Sequence, residues 1–254
     1  MTVREEVRGH ALWLTIDREE RRNALGPEVM DGLTAGLARA EGEEDVRVVV
    51  VTGAGEKAFC AGGDIGGFAS EDGPTPAERI GRLLGSIREH PLPVVARVNG
   101  RALGGGFGLM LACDLVVAAD DVEVGTPEVN IGLWPHVITA VIQREVPRKV
   151  ALEMMLTGRR VSAREAERWG MINNVVPRMG LDAAVDDLAA ELASKSPAVL
   201  RLGKRSFRGA EDLASFDEAL AYLGERLGEH LALEDLAEGV AAFLEKREPR
   251  WRGR

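Results

Sequence analysis

A chain of 254 residues, 45% of them apolar, can bury the core of one large or two small domains, and its net charge of -9 leaves no basic stripe of the kind that nucleic-acid phosphates require. No apolar run reaches the ~20 residues of a membrane span, and the opening Met1-Thr2-Val3-Arg4-Glu5-Glu6 lacks the apolar centre of a secretory signal, so a cytoplasmic protein without a membrane partner is expected. Cys60 and Cys113 lie far apart inside apolar segments and read as reduced, buried thiols, while His10, His90, His136 and His230 show no ligand spacing, so no metal is expected.

The alternating residues 11–17 predict a strand, and Pro27, at a first-turn position, opens a helix running to about Glu43. Residues 46–52 form a nearly continuous β-branched run, the signature of a strand buried on both faces, and residues 93–98 and 115–118 repeat it. Helical stretches at 78–90 and 107–112 lie between them, and such alternation predicts βαβ units with a mainly parallel sheet covered by helices. Beyond about residue 140 the pattern becomes helix after helix, at 148–156, 162–169, 181–194, 198–210, 216–228 and 234–247. Ser162 followed by Glu165 reads as a capping box, and Arg201, Lys204, Arg205 and Arg208 as one charged helix face.

Two glycine-rich loops carry the chemistry: Ala61-Gly62-Gly63-Asp64-Ile65 and Gly104-Gly105-Gly106-Phe107-Gly108, each after a strand-like run. Glycine lets backbone approach a ligand without a Cβ clash, so two such loops suit a pair of N–H groups aimed at one carbonyl oxygen, as for a thioester becoming an enolate. The second loop also opens an apolar helix, whose N-terminus favours developing negative charge. A dinucleotide-binding reading competes, because residues 48–55 are a strand followed by G-x-G. It fails where Phe59-Cys60-Ala61-Gly62-Gly63 stands in place of the expected helix, and no acidic residue ends the next strand. Neither a Walker lysine loop nor a G-x-S-x-G elbow occurs.

Five landmarks appear in order: Arg21-Arg22-Asn23-Ala24-Leu25, residues 58–65, Asn99-Gly100-Arg101-Ala102-Leu103-Gly104-Gly105-Gly106, Val124-Gly125-Thr126-Pro127-Glu128, and Leu156-Thr157-Gly158-Arg159 with residues 163–170. Together they resemble the crotonase (enoyl-CoA hydratase/isomerase) superfamily over nearly the whole chain. The resemblance implies a ββα spiral α/β core with a mainly parallel sheet over residues 1–195, holding an acyl-CoA site, and a C-terminal helical oligomerisation region over 196–254. It implies trimers, commonly paired as hexamers, and residues 216–243 carry apolar side chains on more than one helix face, as such packing would need. No cofactor is expected to be bound permanently; the substrate carries coenzyme A.

By the same resemblance, the N–H groups of Gly63 and Gly105 bind the thioester oxygen and Glu128 is the acid/base. Arg22, Ala24, Lys57, Ala61, Asp64 and Ile65 lie nearest the CoA, with Lys246 and Arg247 as further basic candidates. Asp64 also reads as a cap for the turn that follows it, and Cys60 as packing. Hydratases of the family generally use two glutamates, and the first falls on Gly108, which has no side chain. One carboxylate suffices to remove a proton and return it elsewhere, so isomerisation of 3-enoyl-CoA to 2-enoyl-CoA is favoured. His136 stands where hydratases usually continue with glycine after the Pro135 position, as a titratable group at the pocket or as padding for a helix over 137–144. A dry pocket built from Phe68, Leu133 and Trp134 would raise the Glu128 pKa. The alternatives are a hydratase with another water-positioning group, a decarboxylase or thioesterase on the same scaffold, and an acyl-CoA binding protein with little turnover.

Overall fold

The computed structural model describes residues 2–64 and 74–254; Ile65 and Phe68 lie outside the described residues. In chain order the elements are β1 (Val3–Arg8), β2 (Ala11–Ile16), α1 (Pro27–Gly42), β3 (Val48–Gly53), β4 (Ala58–Cys60), α2 (Pro76–Arg88), β5 (Val94–Val98), β6 (Arg101–Leu103) and α3 (Gly105–Ala112). There follow β7 (Leu115–Ala119), β8 (Glu123–Gly125), α4 (Thr139–Glu145), α5 (Arg148–Thr157), β9 (Arg160–Ser162), α6 (Ala163–Arg168), β10 (Asn174–Val176), α7 (Leu181–Ala193), α8 (Pro197–Glu211), α9 (Phe216–Leu231) and α10 (Glu234–Glu245).

The strands form a six-stranded sheet in the order β1-β2-β3-β5-β7-β10 and a four-stranded sheet in the order β4-β6-β8-β9. Every pairing in the large sheet except β1 with β2 is parallel. Each long strand from β3 onward is followed by a short one in the small sheet, β3 by β4, β5 by β6 and β7 by β8, so both sheets advance in the same order. This is the ββα spiral, with α2 and α3 completing successive turns. All side chains of β2 and β3 are buried, which is the physical meaning of their unbroken apolar runs. Where the sequence pattern predicts a single mainly parallel sheet, the chain builds two. The second sheet is made of strands only three residues long, too short to display a period of two.

The C-terminal helices attach to the core through polar anchors. Lys204 of α8 donates from Nζ to Asp114 at 2.6 Å and to the Leu92 carbonyl at 3.0 Å, while Arg208 pairs with Asp114 and Glu145. Burial pushes the Lys204 ammonium below its ordinary pKa, and the adjacent Asp114 opposes that shift. The chain then returns on itself. Asp235, only 1% exposed, accepts a hydrogen bond from the Ser196 hydroxyl at 2.5 Å and from the backbone N–H of Arg252 at 2.7 Å, and Ser196 caps α8 through the Val199 N–H. By contrast, α9 buries none of its residues. No helix among the described residues is long and apolar enough to cross a membrane.

Replacing Asp235 with Ala strands the Ser196 hydroxyl and the tail N–H groups. The expected loss is about 2 kcal/mol or more of stability, read as a lower urea midpoint with faster proteolysis after residue 245.

Candidate active site

The site is assembled from backbone, and buried asparagines hold that backbone in place. Asn23 is fully buried in the left-handed region at φ 56°; its amide donates to the carbonyls of Ala54 at 3.0 Å and Ala58 at 2.7 Å and accepts from the Arg18 N–H at 3.1 Å. Asn99 grips the same turn from the other side, accepting from the Gly53 N–H at 3.2 Å and donating to the Gly55 carbonyl at 2.6 Å. Together they aim β4 and the loop that leaves it.

That loop meets the chain after Asn23 as an isolated parallel bridge between Leu25 and Gly63. The Leu25 N–H donates to the Gly62 carbonyl at 2.7 Å, and the Asp64 N–H donates to the Leu25 carbonyl at 3.2 Å. Because the residues flanking Gly63 make both of these bonds, the Gly63 N–H faces away from Leu25, toward the cavity. Gly105 is the first residue of α3, so its N–H has no partner within the helix. The two loops touch backbone to backbone. Gly62 has φ 103°, and a Cβ on it would lie 3.0 Å from the Leu103 carbonyl oxygen and 3.4 Å from the Gly105 nitrogen. A Cβ on Gly106 would overlap the Cys60 carbonyl. The Gly63 nitrogen lies 3.5 Å from where a Gly105 Cβ would stand, so the two N–H groups are neighbours at the head of a helix.

Glu128 lies in a single 3-10 turn, Pro127–Ile131, that follows β8. Its carboxylate rests over Gly104, with Oε1 2.8 Å from the position of a Cβ there. Oε2 is buried without a hydrogen-bond partner among the described residues. Burial is the leading cause that pushes this carboxyl above the ordinary glutamate range, opposed only by a hydrogen bond from its own backbone. The space a side chain at residue 108 would occupy is filled by Ile138, whose Cγ2 would overlap a Cβ on Gly108. Cys60 is wholly buried and its thiol is pushed up to about 12, so it is inert packing beneath the loop.

These groups open on a cavity of about 720 Å³ whose wall includes Ala61, Gly63, Gly105, Glu128 and His136, five of the residues singled out in the sequence, together with Leu133 and Trp134. His136 is exposed at the rim, and α4 begins three residues after it rather than at residue 137. Arg22 and Ala24 adjoin the wall: the Ala61 N–H donates to the Arg22 carbonyl at 3.1 Å, and Arg18 reaches the Ala24 carbonyl at 3.4 Å. Asp64 has its carboxylate 3.3 Å from the Arg18 guanidinium; the turn it is expected to cap lies outside the described residues, as does Ile65. Lys57 is exposed at the far end of β4, about 13 Å of extended chain from Ala61, and is not on the cavity wall. Arg247 lies two residues past the end of α10, short of the helix expected to run to 247, and is bound to Glu238 and Glu245 of that helix. Sequence reasoning assigned no role to Asn99, which stood only in a landmark, and missed Arg18, Ile138 and Arg160, the last two of which line the cavity. Only Asn99 left a signal, as an Asn-Gly turn pair between two short strands.

Two neighbouring N–H groups beside one desolvated carboxylate can hold a carbonyl oxygen while a proton moves on the carbon next to it. That is the chemistry of enzymes that work on acyl thioesters through an enolate. The chain belongs to the enoyl-CoA hydratase/isomerase family, whose model matches residues 8–254. It is 34% identical over 244 residues to the mitochondrial enoyl-CoA hydratase domain-containing protein 3 of Mus musculus, covering 94% of this chain and 80% of that one. It is also 34% identical over 261 residues to the (E)-benzylidenesuccinyl-CoA hydratase of Thauera aromatica, with both chains covered in full (100%). Among solved structures, the enoyl-CoA hydratase of Bacillus anthracis superposes with a TM-score of 0.93 at 31% identity, with 100% of each chain covered.

Two consequences can be measured. Gly108→Ala forces Ile138 aside at the packed base of the cavity wall and is expected to cost about 1–3 kcal/mol, seen as a lowered urea midpoint. The raised Glu128 carboxyl means that the folded protein holds this proton more tightly than the unfolded chain does, so stability falls as pH rises from the ordinary glutamate range through the raised pKa. Glu128→Gln should therefore raise Tm at about pH 7 and match the parent near about pH 3.5, where both forms are neutral.

Proposed function

We propose that this enzyme isomerises the double bond of an acyl-CoA thioester from the 3-enoyl to the 2-enoyl position. The N–H groups of Gly63 and Gly105 would receive the thioester oxygen. The Glu128 carboxylate takes a proton from C2, the negative charge moves onto that oxygen, and the same carboxylic acid returns the proton at C4. The observation that carries this reading is the Ile138 side chain seated where a residue-108 carboxylate would project, which leaves Glu128 as the one carboxylate on the cavity wall among the described residues. Desolvation suits Glu128 to the task, because a carboxylate poorly stabilised by its surroundings is a stronger base.

CoA would lie on the side of Arg22, Ala24, Ala61 and Asp64, with Lys57 reaching only a distal phosphate; no cofactor would remain bound between turnovers. The exposed face of α9 and α10 supports assembly into trimers or hexamers through the region 196–254, since Phe216, Leu227, Leu231 and Phe243 are between 57% and 82% exposed in the single chain. A hydratase reading has its own support in His136 on the cavity wall, and the relatives' names are those of hydratases. Decarboxylation, thioester hydrolysis and acyl-CoA binding alone have no comparable observation in their favour.

The test follows the absorbance of the conjugated enoyl thioester. A rise with a 3-enoyl-CoA and no change with a 2-enoyl-CoA is expected. A fall with the 2-enoyl ester would mean that water is added, and His136→Gln would then be the variant to assay. Glu128→Gln should remove turnover while leaving CoA-ester binding in place, and kcat/KM should decline as pH drops through a pKa above that of an ordinary glutamate.

A further inference from the structure

The four-stranded sheet delivers one group to the cavity from each of its strands. Across the order β4-β6-β8-β9, the same edge supplies the first glycine loop after β4, the second after β6 and Glu128 after β8. The last strand, β9, runs antiparallel to β8, so the residue it brings to this edge is its first, Arg160, opposite Gly125. Neighbouring strands are about 4.8 Å apart, which puts the start of β9 about 10 Å beyond the second loop and farther still from the first. Leu25, with Arg22 and Ala24 beside it, bridges Gly63 on the opposite flank. Along the cavity the order is therefore the CoA-side segment, the two N–H groups, the carboxylate and then a guanidinium.

From this order we infer that Arg160 is a specificity residue selecting acyl-CoA esters whose acyl chain ends in a carboxylate. The inference rests on the acyl-CoA reading of the site. Arg160 lines the cavity, and its one ion-pair partner among the described residues is Glu123 at 3.9 Å. The same Glu123 oxygen is already bonded to Arg101 Nε at 3.2 Å, so among the described residues one exposed carboxylate faces two guanidinium groups, and the Arg160 side chain, 42% exposed, is held only loosely. His136 and Asn130 are the other polar side chains on this part of the wall, and Leu133, Trp134 and Ile138 make the rest apolar. A loosely held guanidinium at the rim of an apolar wall can turn to a substrate carboxylate, which the planar fork of arginine matches with two parallel hydrogen bonds. An acyl chain advances about 1.3 Å per bond, so a diacid chain of about six carbons carries its free carboxylate past Glu128 and into reach of the guanidinium. The CoA phosphates cannot be what Arg160 meets, because they lie at the other end of the row.

Calorimetric titration with two saturated esters that cannot turn over separates the possibilities: hexanoyl-CoA and the CoA monothioester of hexanedioic acid. The parent enzyme is expected to bind the diacid ester about tenfold more tightly. Arg160→Gln should erase that preference while leaving the hexanoyl-CoA Kd unchanged, and Arg160→Lys should keep part of it. Equal binding of the two esters by the parent, a preference that survives Arg160→Gln, or a parallel loss of both esters in that variant would each overturn the assignment while leaving the acyl-CoA site standing. Failure of the parent to bind either ester would overturn the acyl-CoA reading, and the role of Arg160 with it.

Discussion

Everything in the site depends on two loops approaching each other backbone to backbone, with no side chain between them. The Cys60 carbonyl and the Cα of Gly106 are so close that any Cβ would collide, and Gly62 turns through a positive φ to let the Gly63 N–H pass into the cavity. That contact places the head of α3 against the end of β4, and with it two N–H groups without partners among the described residues. Unsatisfied donors are costly where water is excluded, so the structure holds them open by constraint. The amides of Asn23 and Asn99 pin the turn behind the first loop, and the Gly104 N–H ties the second to the Gly125 carbonyl at 2.9 Å.

Charge is handled differently in the site and in its supports. Lys204 and Asp114 are both well buried, but they have each other, the Leu92 carbonyl and the Val94 N–H, so the pair acts as a fastener between α8 and the sheet. Glu128 has no such company. Its partly buried carboxyl, with one oxygen unsatisfied among the described residues, carries a desolvation cost that no neighbouring charge offsets. The many exposed arginine–carboxylate pairs elsewhere contribute little by comparison.

Legibility in the sequence followed contact distance along the chain. The run at β3 announced a doubly buried strand, and the Ser162 to Glu165 capping box is present as read. The strand β1 went unread because most of its residues are exposed and charged, giving no apolar face to recognise. The small sheet was invisible for want of length, although the glycine loops that leave it were plain. Glu128 could be located through the Pro-Glu element and its raised pKa expected from a dry pocket, but that Gly104 lies beneath its carboxylate could not be read. Ile138 and Gly108 are thirty positions apart in sequence, and nothing in either neighbourhood hints that one fills the other's space. Arg160 was passed over for a similar reason: only the antiparallel turn of β9 brings the start of that strand to the edge where the other three deliver their groups.

The pairing of Gly108 with Ile138 also constrains how such a site can change over generations. Glycine and glutamate codons can differ by a single base, so a second carboxylate is one mutation away on paper. In the folded chain that mutation arrives where an isoleucine already stands. A lineage moving between one carboxylate and two would have to shrink residue 138 first, tolerate the small void left behind, and only then fill it from residue 108. The order of those two steps is imposed by packing, and it makes positions 108 and 138 expected to vary together wherever this architecture has diversified.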